Sequence, residues 1–187
     1  MKKNIIITLI VGAASVTGLE AQDSSQNFQV SRNFQASLTP DIALRSRTTE
    51  IDGLMLSIWG ENPQHGFAIG FVNGSTGDSS GLTVSLINYS DTYRGASWGV
   101  INVNTTSFVG WQEGFVNVAQ DEFKGFQSAG LLNYSRAMTG LQLGLINYTE
   151  NLHGVQIGLA NIAMNNPWFD DFPDKLATGF PIVNWSF

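Results

Sequence analysis

Between Gly140 and Asn161 the chain states an eight-residue unit, G-x-Q-x-G-x-x-N, twice in succession: GLQLGLIN and then GVQIGLAN. Looser copies open at Gly53, Gly66, Gly81, Gly95, Gly110 and Gly125. The closing asparagines fall at Asn73, Asn88, Asn102, Asn117, Asn133, Asn147 and Asn161, 14 to 16 residues apart. A fixed period of this length marks a repeat architecture, in which each unit must stack on its neighbours to bury a face.

Within a unit, large apolar residues take the second, fourth and sixth places, as in Leu141, Leu143 and Leu145 or Val155, Ile157 and Leu159. Period two is the signature of a strand. A helix is excluded, because most units carry two glycines and each costs a helix roughly 1 kcal/mol. The other face carries glycine, a small or polar residue and glycine again, so Gly144, Gly158 and the asparagines are the structural repeat positions. Between units lie short segments such as YSDTYR, VAQDEFK and YTENLH, which vary freely and hold most of the charges, and these read as loops.

The fold class is therefore all-β, and three segments are expected. Residues 1–21 read as a signal peptide: Lys2 and Lys3, the apolar run IIITLIVGAA and small residues up to Ala21. Residues 22–50 form a polar N-terminal segment with one strand from Phe34 to Leu38, followed from Asp41 to Glu50 by a linker or, as the alternative, a second strand at Ile42 and Leu44. Residues 51–187 form the repeat domain, with a closing strand at Val183, Trp185 and Phe187. Without the leader the chain keeps seven basic and fourteen acidic residues, about −7 in net charge, which disfavours nucleic acid as a partner. The absence of cysteine excludes a disulfide scaffold and a lipid-modified cysteine.

The units can pair in two ways. In an antiparallel meander closing into a small barrel of about ten strands, the apolar face would meet the lipid of an outer membrane and Gly, Gln, Ser and Thr would face the lumen. Tyr89, Tyr134 and Tyr148 and the turn aromatics Tyr93, Phe108 and Phe123 would then form two girdles. In the alternative, a parallel β-solenoid or β-roll serving as a soluble binding module, the asparagines would line up in one file and the apolar face would be the core. The barrel is the expected fold, because a unit and its flanks match the height of a membrane barrel's apolar band and closure removes edge strands.

The repeats, together with SLTP, the IWGEN at Ile58 to Asn62, NPWFDDFPDK and the NWSF tail, resemble small bacterial surface-repeat proteins built from G-x-Q-x-G-L-x-N units. The likeness covers Phe34 to Phe187 and implies a cell-surface or outer-membrane location, with no catalytic residues to carry over. A terminal phenylalanine after alternating apolar residues is similar to the assembly signal of outer-membrane proteins.

The residues themselves offer little chemistry. His65 and His153 read as turn residues, and no serine has a base with sequence support. Asp170, Asp171 and Asp174 could offer oxygen ligands to Ca²⁺, but a solvated loop is the plainer reading. Glu113 breaks the apolar face, and Gln112, Gln142 and Gln156 are suited to cross-strand hydrogen bonds. The expectation is a non-enzymatic exported surface protein without cofactor, its partner a lipid bilayer; nothing in the sequence specifies a protein or glycan partner.

Overall fold

The longest strand, β6 (Ile101–Ala163), runs for 63 residues. Drawn straight it would reach roughly 200 Å, so it must wind. The other strands are β1 (Phe34–Thr39), β2 (Ile42–Ala43), β3 (Leu54–Asn62), β4 (His65–Val84), β5 (Ile87–Trp98) and β7 (Gly179–Ser186), in the sheet order β2-β1-β3-β4-β5-β6-β7. This is a computed structural model describing residues 32–187; the expected signal peptide at 1–21 lies outside the described residues. No helix occurs among the described residues.

Pairing is parallel from β1 through β6, and equivalent positions align. Asn73 faces Asn88 and Gly81 faces Gly95; on the next coil Asn88 faces Asn102 and Gly95 faces Gly110. Successive copies point the same way, so the fold is a β-solenoid and the ten-stranded barrel is overturned. Strand length and alternation fit both arrangements; direction decides between them.

The coil is narrow, and its interior is mostly amide and hydroxyl. Asn88 Nδ2 donates to Asn102 Oδ1 at 2.8 Å, and the file continues through Asn117 (2.8 Å), Asn133 (3.0 Å), Asn147 (2.9 Å) and Asn161 (2.8 Å). A second file runs the opposite way: Gln156 donates to Gln142, Gln142 to Gln127 and Gln127 to Gln112, at 2.8 to 3.0 Å. Each amide presents one donor and one acceptor along the stack, so burial costs it little. Gly144 makes room for this file, since a Cβ there would sit 2.7 Å from Asn133 Nδ2. Where serine replaces that glycine it joins the file: Ser57 Oγ donates to Asn73 Oδ1 at 2.6 Å and Ser85 Oγ to Asn88 Oδ1 at 2.7 Å.

The segments between units are strand, not loop, and they supply the apolar core. Tyr93, Phe108, Phe123, Met138 and Leu152 are buried in one file, each two residues before a unit-opening glycine. The Tyr93, Phe108 and Phe123 rings stack at 5.4 and 5.2 Å, so they form no girdle. The opening glycines turn the corner that follows. Gly125, at φ +136°, lies so close to the preceding coil that a Cβ would fall on the carbonyl oxygen of Gly110.

Both ends are capped, as terminal repeats must be. At the N-terminal end β2, within the expected linker, pairs antiparallel with β1. At the other end β7 pairs antiparallel with β6, so it covers the last coil and closes no barrel. Pro181 and the segment at Asp174, Lys175 and Leu176, which bonds back to Trp185, Ser186 and Phe187, blunt its outer edge.

Candidate functional site

With amides inside, the leucines of the repeat are outside. The sidedness is the one expected of the barrel, and the topology is the one expected of the alternative; the apolar face is not the core. In each unit the second and fourth residues project from one outer face, among them Phe67, Ile69, Trp98, Trp111, Leu143 and Ile157. The seventh and ninth project from the next face, among them Ile87, Tyr89, Ile101, Tyr134 and Tyr148. Tyr89, Tyr134 and Tyr148 thus occupy one file on one side, with Tyr134 and Tyr148 stacked at 5.5 Å.

The two faces meet at a ridge. The sixth and seventh residues of a unit both point outward, which a straight strand forbids, so the chain bends there. The sixth place holds Ile58, Phe71, Leu86, Val100, Phe115, Leu145 and Leu159, from 42% exposed at Leu145 to 70% at Leu159, with Gly130 standing between Phe115 and Leu145 in the Gly125 unit. Backbone bonds hold the file in line: Leu86 N to Phe71 O at 3.1 Å, Val100 N to Leu86 O at 3.0 Å and Phe115 N to Val100 O at 2.9 Å. Eight coils at about 4.8 Å give a ridge of roughly 34 Å with no charged residue on it. The third face carries the charges: Arg94, Glu122 and Lys124, with Arg136 at its corner within 3.2 Å of Asp121 and 3.8 Å of Glu150.

No protein-family model matches this chain, and neither does any curated protein or solved structure. Its function is therefore argued from its own surface.

The single residues weighed in the sequence fall as follows. Glu113 lies on the first apolar face, where its carboxylate accepts from Trp111 Nε1 and Ser128 Oγ, both at 3.1 Å, so it is locally satisfied. Asp170, Asp171 and Asp174 lie in an exposed cap loop; Asp171 pairs with Lys175 at 3.7 Å, and no group of three ligating side chains gathers among the described residues. His153 is exposed.

His65 does more than a turn residue would. Its Nε2 lies 2.8 Å from Glu50 and its Nδ1 2.8 Å from Ser80 Oγ. The order Glu-His-Ser has the form of a nucleophile relay, with the amide of Ser80 taken up by Gln64 O at 2.8 Å. Its contacts pin the cap to the second coil. A comparable pin joins Trp59, Tyr89 and Glu61: Trp59 Nε1 donates to Tyr89 Oη at 3.2 Å and Tyr89 Oη to Glu61 at 2.7 Å. Burial, with the Glu61 carboxylate beside it, pushes the Tyr89 phenol up to about 12. Neither pin was readable in the sequence, because its members sit on different coils.

Proposed function

We propose that this chain is an exported, non-enzymatic β-solenoid binding module that docks on the surface of a lipid bilayer through its apolar ridge. The observation that carries the reading is that the apolar surface bends around a corner. A rigid sheet, including a second copy of this chain, can lie flat against one of the two faces; a fluid covers both. Isolated exposed leucines need no explanation, but a contiguous patch larger than a few hundred Å² marks an interaction surface. Trp98 and Trp111 on one flank and the tyrosine file on the other set amphipathic rings on either side of the ridge, a placement suited to the membrane–water interface.

The magnitudes are sufficient. Burying a Leu, Val or Phe side chain completely is worth about 1.5–3 kcal/mol, so each half-exposed ridge residue offers about 1 kcal/mol. Seven of them offer about 7 kcal/mol before the cost of immobilisation, of the order that a single acyl anchor supplies. The test is flotation with phosphatidylcholine vesicles. The chain should float, insensitively to salt because the ridge is uncharged, and Phe115→Ser with Leu145→Ser should lower partitioning about 25-fold. Lys124→Ser on the charged face should change nothing. A chain that stays with the aqueous fraction, or that forms a discrete dimer and ignores vesicles, would overturn the reading.

A further inference from the structure

We infer that the N-terminal cap holds a binding groove for a single acyl chain that ends in an oxyanion. The groove, an open hollow of about 540 Å³, lies on the outer face of the sheet along β1, with Ala36 on its floor, Ile42 and Leu44 on the β2 side and Leu56 and Ile58 on the β3 side. On its β2 side the sheet is short, since β2 is only two residues long and its pairing with β1 slips between Ser37 and Thr39. Ala36 provides the depth: it aligns with Leu56, and that file continues to Ile69, so a methyl group stands where the following coils carry a large side chain. Leu38, Ile42, Leu44, Leu56 and Ile58 are 41 to 61% exposed.

The head of the ligand follows from what adjoins the groove. A second hollow, about 440 Å³, shares Ala43 and Leu44 with it and is lined further by Pro40, Asp41, Arg45, Ser46, Arg47 and Thr48, so an incoming oxyanion would compete with the Asp41 carboxylate for Arg47. Arg47 is loosely held, 3.7 Å from Asp41 and 3.5 Å from Glu61, and its side chain is 46% exposed. Those two contacts leave guanidinium N–H groups free in a planar fork suited to a carboxylate or a phosphate. An apolar slot that ends at an arginine fits an amphiphile: the chain in the slot, the oxyanion at Arg47. The groove shares Ile58 with the N-terminal end of the ridge and Leu56 with the adjoining apolar face, but it lies several coils from Phe115 and Leu145, so the two readings are tested at different residues.

The experiment is a titration of the full chain with a fluorescent fatty acid below its micelle concentration and without vesicles. One saturable site is expected, and Ala36→Phe, which fills the slot, should weaken it at least 10-fold while the melting temperature holds. Leu44→Gln gives a second slot variant should Ala36→Phe unfold. Arg47→Gln should weaken the fatty acid several-fold and leave the alcohol of equal chain length unchanged. Palmitate and a palmitoyl lysophosphatidate as competitors distinguish a carboxylate source from a phosphate source; displacement by either supports the proposal. Leu145→Ser on the ridge should leave the titration unaltered, so that a failure to float on vesicles and a failure here are told apart. Non-saturable uptake, indifference to both slot variants, or equal weakening of acid and alcohol by Arg47→Gln would overturn it.

Discussion

Replacing Asn117 by alanine cuts the amide file at its middle. The wild-type side chain is fully buried, accepts from Asn102 Nδ2 at 2.8 Å, and donates to Ser128 O at 2.6 Å and Asn133 Oδ1 at 3.0 Å. After the change Asn102 Nδ2 still has Glu113 O at 2.9 Å. Asn133 Oδ1 and Ser128 O each lose a donor inside a dry coil. An orphaned buried group costs about 1–3 kcal/mol, so the pair should cost about 4 kcal/mol. Equilibrium urea unfolding measures it, as a fall in midpoint at unchanged slope. Asn151→Ala is the control, since the Asn151–Asn165 bond is exposed and should matter by less than about 0.5 kcal/mol. Asn117→Asp sharpens the test, because a carboxylate keeps the shape and cannot donate. Its cost should be least in acid, where the group is neutral in both states. It should grow as pH rises through the ordinary carboxylate range, because the unfolded chain ionises freely and the buried site resists ionising. A loss below about 1 kcal/mol for Asn117→Ala would refute the view that the file holds the coil.

Two further outcomes follow from the same coordinates. Gly125→Ala, whose Cβ would meet Gly110 O at φ +136°, should cost more than about 4 kcal/mol. Gly77→Ala, at φ +60° with nothing within 4 Å, should cost about 1–2 kcal/mol, and thermal melts of the two variants compare them. For Tyr89, the phenol of the folded chain titrates near 12, above its ordinary value, because burial favours the neutral form. The stability it lends is complete below about pH 10 and is lost as pH rises through 12; tyrosinate absorbance together with alkaline unfolding of wild type and Tyr89→Phe reports it.

Much of this was legible in the chain, and what was missed has identifiable causes. Period two gave strands, and the glycines excluded helix. The identity of Asn88, Asn102 and Asn117 at one place in every unit was the available clue to direction: in a meander they would alternate between rims, with nothing to gain from being alike. In a parallel stack each is the hydrogen-bond partner of the next. The agreement of strand length with a membrane barrel outweighed that clue, although length follows from the period and carries no direction. The core file was hidden by its surroundings. Phe108 lies in VNTTSFV and Phe123 in VAQDEFK, where polar neighbours point to solvent and make the segment resemble a loop; the column appears only when each is counted back from the next glycine. The groove at Ala36 and the pin at His65 depend on residues brought together across coils, and no local pattern announces them.

The inversion of the usual arrangement, amides in and leucines out, has a physical origin that also bears on function. A coil of 14 to 16 residues has room for about one large side chain per turn, and the file of Tyr93, Phe108, Phe123, Met138 and Leu152 takes it. The remaining inward places suit side chains that gain from touching a copy of themselves every 4.8 Å or so, which asparagine and glutamine do and leucine does not. The outer leucines are about half buried within their own file, so each contributes about 1 kcal/mol to the fold and keeps about as much for a partner. Phe115→Ser and Leu145→Ser should therefore each lower the unfolding free energy by about 1 kcal/mol while vesicle partitioning falls. If either variant alone lowered stability by more than about 3 kcal/mol, the ridge would be part of the fold, and its exposure would no longer argue for a partner.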